Sequence, residues 1–527
     1  MKTKPFFFFT LLFIFQITFS QVDNTKVFQL LDKETKQPIA FATIMLKSKN
    51  RGTHADTEGF FEIPLKYIRD YTIHITSIGY ISKEIQLSKI TFSSVTILYL
   101  EPANTVLDEV VIRSKKKKEK RILAYSIVKK AIANIPKNYP TKPYSYIGYY
   151  RDYQQPVNQE YKKFVNAKED IDYINLHEGI IEVFDAGFGT NQLTNKQNQT
   201  VLRSFITNTD FRVDSTLTVP YDNESKKFSD NYKVTPLGGN ELNLLNLVNA
   251  VRNYDKMSFS FANIFERDFL ENHTFRVKKI QYLDGKTLYE INLKTKKTNF
   301  RNRYFASGKI YIDKERFAIY KLNYNLYYGN INNLQYAITT EFSEKNSKMF
   351  LNYITFNNQF IARSSNYFKV DKVKLNINSF AFKVEFNKDV NLETLKPFKR
   401  KFKATYKNKF LKIDRVTMLD SKTLMVYLDT SQVYILDNKN EKSFITDFNF
   451  EVRNIKDVFG YTINKKVNLK FNQYRELFVQ ELFTNKDLPL NTSFVNKMKP
   501  LSESKIESLN IADQYWINSP LKKGKKE

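Results

Sequence analysis

The stretch Arg51 to Ile63, RGTHADTEGFFEI, sets a polar turn carrying Gly59 directly before an alternating aromatic run. The short carboxylate of Asp56 is suited to accept backbone N–H bonds inside such a turn, and Gly59 can take the positive φ that a bulged hairpin needs. In the strand that follows, Phe61 and Ile63 share one face while Phe60 and Glu62 share the other, because successive residues point to opposite sides. The pattern predicts a hairpin that feeds a half-buried strand: a structural element, not a catalytic one.

Working outward, short β-type runs alternate with turn residues from 25 to 102: VFQLL, IAFATIMLK, FFEI, YTIHITSIGY, EIQL and VTILYL. Their spacing of about 8–12 residues predicts a sandwich or small barrel. Pro38-Ile39-Ala40-Phe41-Ala42, Gly52-Thr53, Asp56 with Gly59 and Phe61, and Ser77-Ile78-Gly79-Tyr80 occur in that order. This series resembles the carboxypeptidase-like regulatory domain, which implies a seven-stranded transthyretin-like sandwich. Such domains stand at the N-termini of exported proteins of Bacteroidetes and flavobacteria, and the resemblance implies an exported protein of that kind.

The chain has 527 residues, enough for three or four domains at roughly 100–200 residues each. Hydrophobic residues make up 42% and aromatics 15%, so sizeable cores can be buried. Its 83 Lys and Arg against 55 Asp and Glu give +28, which bears on solubility and anionic partners rather than on fold. The N-terminal MKTKPFFFFTLLFIFQITFSQ couples Lys2 and Lys4 to an apolar run and a small-x-small site at Thr18-Phe19-Ser20. That is the pattern of a cleavable secretory signal over residues 1–20. Its removal takes two lysines away, leaving 28 − 2 = +26. With no cysteine there is no disulfide and no lipid attachment point after the signal, so soluble export to the periplasm or the outer-membrane surface is expected.

Further along, Lys115 to Lys118 reads as an exposed basic linker within 103–120, after a short strand at Leu107–Ile112. RILAYSIVKKAIANI places Ala124, Ile127, Val128, Ala131, Ile132 and Ile135 on one helical face, ended by Pro136. A β-rich middle domain is expected over 121–370, with a second helix at ELNLLNLVNAVRNY capped by Asn240. Within it, Gly308 to Asp313 (GKIYID) resembles strands of outer-membrane lipoprotein-carrier-like half-barrels. Over 376–475, Phe386-Asn387-Lys388-Asp389-Val390, Asp420 to Leu424, and Asn454 to Gly460, which includes Asp457, resemble bacterial Ig-like domains, with Gly460 in a tight turn before the last strand. Residues 476–527 read as a tail with a basic, disordered end. The fold class expected is mainly β and multi-domain: a transthyretin-like sandwich, a β-rich middle domain with a few helices, and an Ig-like sandwich.

Chemistry is hard to find. A zinc peptidase needs two histidines and a glutamate that converge. His54, His74, His177 and His273 are widely separated, and none lies in a metal-binding motif. There is no G-x-S-x-G elbow and no P-loop. The singled-out residues Asp56, Gly59, Phe61, Gly79, Tyr80, Asp457 and Gly460 are therefore structural, and no catalytic residue, cofactor or metal is expected. The reading is an exported non-catalytic binding scaffold. Its expected partner is an envelope protein, a glycan or an anionic lipid surface, with peripheral outer-membrane association and no nucleic acid. A small outer-membrane barrel with a periplasmic sandwich, and a glycan- or peptide-acting hydrolase, are the alternatives.

Overall fold

The computed structural model of the chain describes residues 25–49, 51–103, 116–192, 194–218, 227–229, 232–233, 241–254, 269–296, 304–431, 447–497, 499–507 and 514–521. The signal-type segment 1–20, the strand expected at Leu107–Ile112, Lys115, the cap Asn240 and the basic end Lys522–Lys526 lie outside the described residues. The architecture is mainly β, and the chain divides into two units. Unit 1 gathers residues 1–109, 280–287 and 516–527; unit 2 holds 110–279 and 288–515.

Among the described residues of the N-terminal part of unit 1 there are seven strands: β1 (Thr25–Asp32), β2 (Thr43–Leu46), β3 (Arg51–His54), β4 (Phe60–Pro64), β5 (Thr72–Thr76), β6 (Lys83–Gln86) and β7 (Val95–Leu100). They form a three-stranded sheet, β4-β1-β7, and a four-stranded sheet, β3-β2-β5-β6. The alternation read from the sequence fills the space between them: Phe28, Leu30, Ile44, Leu46, Phe61, Ile63, Ile73 and Ile75 are all buried. Phe61 stacks on Phe28 with ring centroids 5.0 Å apart.

Two features differ from the sequence reading. Arg51–His54 is a strand rather than part of a polar turn, with Thr53 and His54 buried. Gly52 permits this, since a Cβ there would come within 2.5 Å of the Ile44 carbonyl oxygen on the paired strand. The second difference is at the other end of the chain. Residues 516–521 belong to the sandwich and are no free tail. Trp516 joins its core, 8% exposed, with its ring 5.6 Å from Tyr67. Trp516 Nε1 donates to the Glu62 carbonyl at 3.2 Å. Asn518 accepts the Glu62 N–H at 2.7 Å and donates to the His54 carbonyl at 2.7 Å.

Unit 2 opens with α1 (Lys116–Ala133), which begins inside the segment expected to be linker. Ala124, Ile127, Val128 and Ala131 are buried, as the 3.6-residue period requires. Helix α1 stops before Pro136, which instead sits in the first turn of α2 (Ile135–Asn138), where its missing N–H is harmless. Then come β8 (Tyr144–Pro156), α3 (Glu160–Phe164), β9 (Ile174–Asp185), β10 (Gln199–Thr207) and the short β11 (Leu217–Thr218). After them lie β12 (Lys227–Ser229), β13 (Tyr232–Lys233), α4 (Glu241–Val248) and α5 (Phe269–Asn272). Helix α4 is shorter than the sequence pattern implied. Five long strands follow in hairpin succession after β14 (His273–Leu283): β15 (Lys286–Thr295), β16 (Tyr304–Asp313), β17 (Ile319–Tyr328), β18 (Leu334–Lys345) and β19 (Lys348–Ser364).

The chain then builds a separate two-sheet sandwich. One sheet orders β20 (Val370–Asn376), β21 (Ala381–Phe386), β25 (Thr423–Leu428) and β24 (Ile413–Asp420). The other orders β23 (Lys409–Leu411), β22 (Phe402–Tyr406) and β26 (Phe448–Val452), and α6 (Phe398–Lys401) leads into it. Phe382, Val384, Phe402, Leu424, Val426 and Ile455 fill its core.

This sandwich is an insertion. The next strand, β27 (Asn468–Phe483), returns to the long sheet and pairs with β19 from Arg363–Asn468 to Tyr353–Phe478. On its other side β27 pairs with β8. The boundary expected at 475/476 therefore falls inside a central strand, and β20 begins at the residue where the middle domain was expected to end. The resulting eleven-stranded sheet runs β10-β9-β8-β27-β19-β18-β17-β16-β15-β14, with β11 on the end of β19. Among the described residues its edge strands, β10 and β14, do not pair with each other. Residues beyond β27 run back along β10, where Val495 N–H donates to the Thr200 carbonyl and Glu507 N–H to the Leu202 carbonyl, both at 2.8 Å. Among the described residues no helix is long and apolar enough to cross a membrane.

Candidate functional site: the polar face of the long sheet

The register of the long sheet sorts its side chains into two faces. One line across it reads Leu477, Ile354, Thr340, Leu322, Ile310 and Ile291, each paired to the next and all buried. The adjacent line, on the opposite face, reads Arg151, Glu476, Thr355, Thr339, Asn323, Lys309 and Asn292. Two residues further along the strands comes Tyr153, Tyr474, Asn357, Ala337, Asn325, Ser307 and Lys294. One side of the sheet is a mostly apolar core, broken by the buried Thr340, Gln473 and Arg475. The other is built from amides, hydroxyls, tyrosines and paired charges.

The charges on this face cancel locally. Arg151 and Glu476, each 1% exposed, meet with Nε 2.6 Å from Oε2. The guanidinium also lies 5.3 Å from the Phe478 ring centroid and 5.7 Å from that of Tyr153. The Tyr149 hydroxyl donates to Glu178 Oε1, and Asn208 donates to Glu178 Oε2 at 2.9 Å. Lys309 holds Glu290 at 2.9 Å and Lys321 holds Glu341 at 3.0 Å. Burial pushes the phenols of Tyr149, Tyr153 and Tyr353 well above their ordinary value, so they stay neutral. A buried ion pair adds little stability against an apolar replacement, but removing one partner is strongly destabilising.

The amides are different. The side-chain oxygens of Asn292, Asn323, Asn357 and Gln359 are buried and have no hydrogen-bond partner. Leaving such a group unpaired costs about 1–3 kcal/mol, and native proteins seldom tolerate it without reason. Aromatic pairs flank these amides: Tyr474 stacks on Tyr153 at 4.8 Å, and Phe305 on Tyr327 at 5.2 Å. None of these residues stood out in the sequence. The signal was present as strict alternation in EINLK (290–294) and KLNYN (321–325), where every second residue is polar.

The residues that the sequence did single out lie elsewhere. Asp56 Oδ1 accepts the N–H groups of Glu58 at 3.0 Å and Phe60 at 2.8 Å, while Gly59 has φ +77°. Asp457 repeats the device: its Oδ1 accepts from Phe459 at 3.0 Å and Tyr461 at 2.8 Å, and Gly460 has φ +91°. In both turns the glycine N–H returns to the aspartate carbonyl, and the aspartate N–H reaches the carbonyl four residues on. Burial raises the Asp457 carboxyl against the opposing pull of those N–H groups and of Lys388. Gly79 (φ +90°) donates to the Tyr282 carbonyl at 2.9 Å. The Tyr80 hydroxyl donates to Asp32 Oδ2 at 3.0 Å, and burial with that bond pushes the phenol up to about 12.

The four histidines stay apart. His54 is buried in β3, His74 lies 3.5 Å from Asp284, His177 bonds Thr207 at 3.1 Å, and buried His273 bonds the Tyr324 hydroxyl at 3.0 Å. Among the described residues no group of three or more His, Cys, Asp or Glu could hold a metal ion. A second concavity in unit 2, of about 230 Å³, gathers Arg212, Lys388 and Lys422 with Asp214 and Asp389. The Lys388 ammonium sits 4.1 Å from the Phe164 ring centroid, and burial lowers its pKa.

No curated protein matches this chain. Among solved structures it is similar to a LolA superfamily protein from Nitrosomonas europaea, at 11% identity and TM-score 0.18 over 45% of this chain and 85% of the other. It is also similar to a DUF1329 family protein from Desulfovibrio piger, at 8% identity and TM-score 0.19 over 45% and 86%. TM-scores this low do not establish a shared fold. What the comparisons do establish concerns unit 1 and the segment after it: residues 29–112 match the CarboxypepD_reg-like domain.

Proposed function

We propose that the protein is an exported, non-catalytic binding protein of the cell envelope whose ligand-facing surface is the polar face of the long sheet. The observation that carries this reading is the row of buried, unpartnered amide oxygens at Asn292, Asn323, Asn357 and Gln359 on a face whose charges are already paired. Groups arranged in this way offer hydrogen bonds and stacking, and they supply no nucleophile with an adjacent base. The match of residues 29–112 to a regulatory-type domain and the secretory pattern of residues 1–20 support export. The charge of 28 − 2 = +26 after loss of Lys2 and Lys4 supports a weak, salt-sensitive attraction to anionic envelope surfaces, since exposed charges are screened beyond about 8 Å at physiological ionic strength.

Two measurements on the native protein test the reading together. Intact mass should show a chain beginning near Gln21 with no acyl group. Cosedimentation with envelope fragments should persist in part at high salt, because a specific site is not screened as a diffuse charge is. A protein that retains residues 1–20, or that leaves envelope fragments at every salt concentration, would refute it.

A further inference from the structure

The chemistry of the polar face narrows the ligand, on the reading that this face is the binding surface. We infer that it takes an uncharged, hydroxyl-rich glycan chain laid across the strands.

At the centre of the face charge disfavours an anionic ligand, while the exposed Lys294 stands at its edge. The buried Arg151 and the lysines facing the centre of the surface are each committed to a carboxylate: Arg151 to Glu476, Lys309 to Glu290, Lys321 to Glu341. An incoming carboxylate or phosphate would have to displace one of those partners and strand it in a low-dielectric setting. A neutral ligand asks for no such exchange.

What the face leaves available is the set of groups that recognises hydroxyls. Asn292, Asn323 and Asn357 carry amides with an unpartnered oxygen, and Thr339 and Thr355 set hydroxyl groups between them in the register. An amide presents acceptor and donor side by side, and neighbouring ring hydroxyls of a sugar present the complementary pair. At the two ends stand half-buried rings, Tyr474 on one side and Tyr327 with Phe305 on the other. Aromatic faces are apolar platforms with a polar rim, suited to the C–H face of a pyranose ring. From β27 to β16 the sheet crosses four strand intervals of about 4.8 Å, roughly 19 Å in all, so an extended chain and not a single sugar is the fitting occupant.

The test is affinity electrophoresis of the full chain through gels containing an uncharged β-glucan, an uncharged α-glucan, or a polyuronate, with anionic phospholipid vesicles assayed by cosedimentation. Retardation by at least one uncharged glycan is expected, with little dependence on salt. Asn323→Leu with Asn357→Leu should weaken it at least tenfold, and Tyr327→Ala should weaken it while circular dichroism stays unchanged. Asn323→Gln, which restores an amide, should recover part of the loss. Binding to the polyuronate or the vesicles alone would overturn the inference, as would retardation that ignores the double variant. Envelope cosedimentation unaffected by these variants would overturn the assignment to this face while leaving the scaffold reading in place.

Discussion

Removing the indole of Trp516 should unfold unit 1 preferentially, and the size of the effect can be worked from its contacts. The ring is 8% exposed among Tyr67 and the other core residues of the sandwich, and its Nε1 donates to the Glu62 carbonyl. Trp→Ala in a core costs about 3–5 kcal/mol. A domain of this size holds only about 5–15 kcal/mol in total. Each 1.36 kcal/mol is tenfold in an equilibrium, so Trp516→Ala should speed amide exchange in the segment 51–64 by two orders of magnitude or more. Hydrogen-exchange mass spectrometry of the full chain reads this directly, with peptides from β16–β19 as the internal control. Asn518→Ala, which breaks two main-chain bonds at 2.7 Å, should act in the same direction by about 1–3 kcal/mol. Exchange in 51–64 that matches the parent in both variants would refute the assignment of residues 516–521 to the core.

Three further outcomes follow from the geometry. Gly59→Ala should cost more than Gly460→Ala, because a Cβ at 59 meets the Leu30 carbonyl oxygen at 2.5 Å while one at 460 meets nothing within 4 Å; chemical denaturation of both variants gives the difference, and equal costs would remove the steric argument. His273 is held neutral by burial, its pKa lowered from 6.5 to about 4, so the unfolded chain binds the extra proton first. Stability should therefore fall as pH drops below 6.5, by about 2 kcal/mol between pH 7 and pH 5, and His273→Gln should flatten that part of the melting profile. The Tyr80 phenol, raised to about 12, contributes stability that is complete below 10 and is lost as pH rises through 12; Tyr80→Phe should remove that alkaline dependence in unit 1.

Local signals carried well from sequence to structure. The aspartate–glycine turn at 56–59 was legible because its chemistry lies within five residues, and the buried face of α1 because its period is unbroken. Long-range closure was not legible. Nothing in NLKFNQYRELF announces that β27 will lie between β8 and β19, since the partners of Glu476 sit at Arg151 and Thr355. Trp516 looked like part of a tail because its burial depends on Glu62 and Tyr67, hundreds of residues away. The polar face was masked for the opposite reason. Its Asn and Lys residues alternate correctly, but in a chain rich in both they are indistinguishable from an ordinary solvated surface until the register lines them up.

The position of β27 also sets the order in which the molecule can be completed. As the chain emerges during synthesis, β8 to β10 and β14 to β19 can each pair at once, for their partners are neighbours in sequence. Between them a gap one strand wide must stay open while the inserted sandwich is made, and two long edges face solvent until residue 483 has appeared. Exposed edges are templates for pairing with other chains, and non-local strand pairing is slow. Until β27 arrives, the facing edges of β8 and β19 are where this chain is open to mispairing, and β27 is the keystone that closes them.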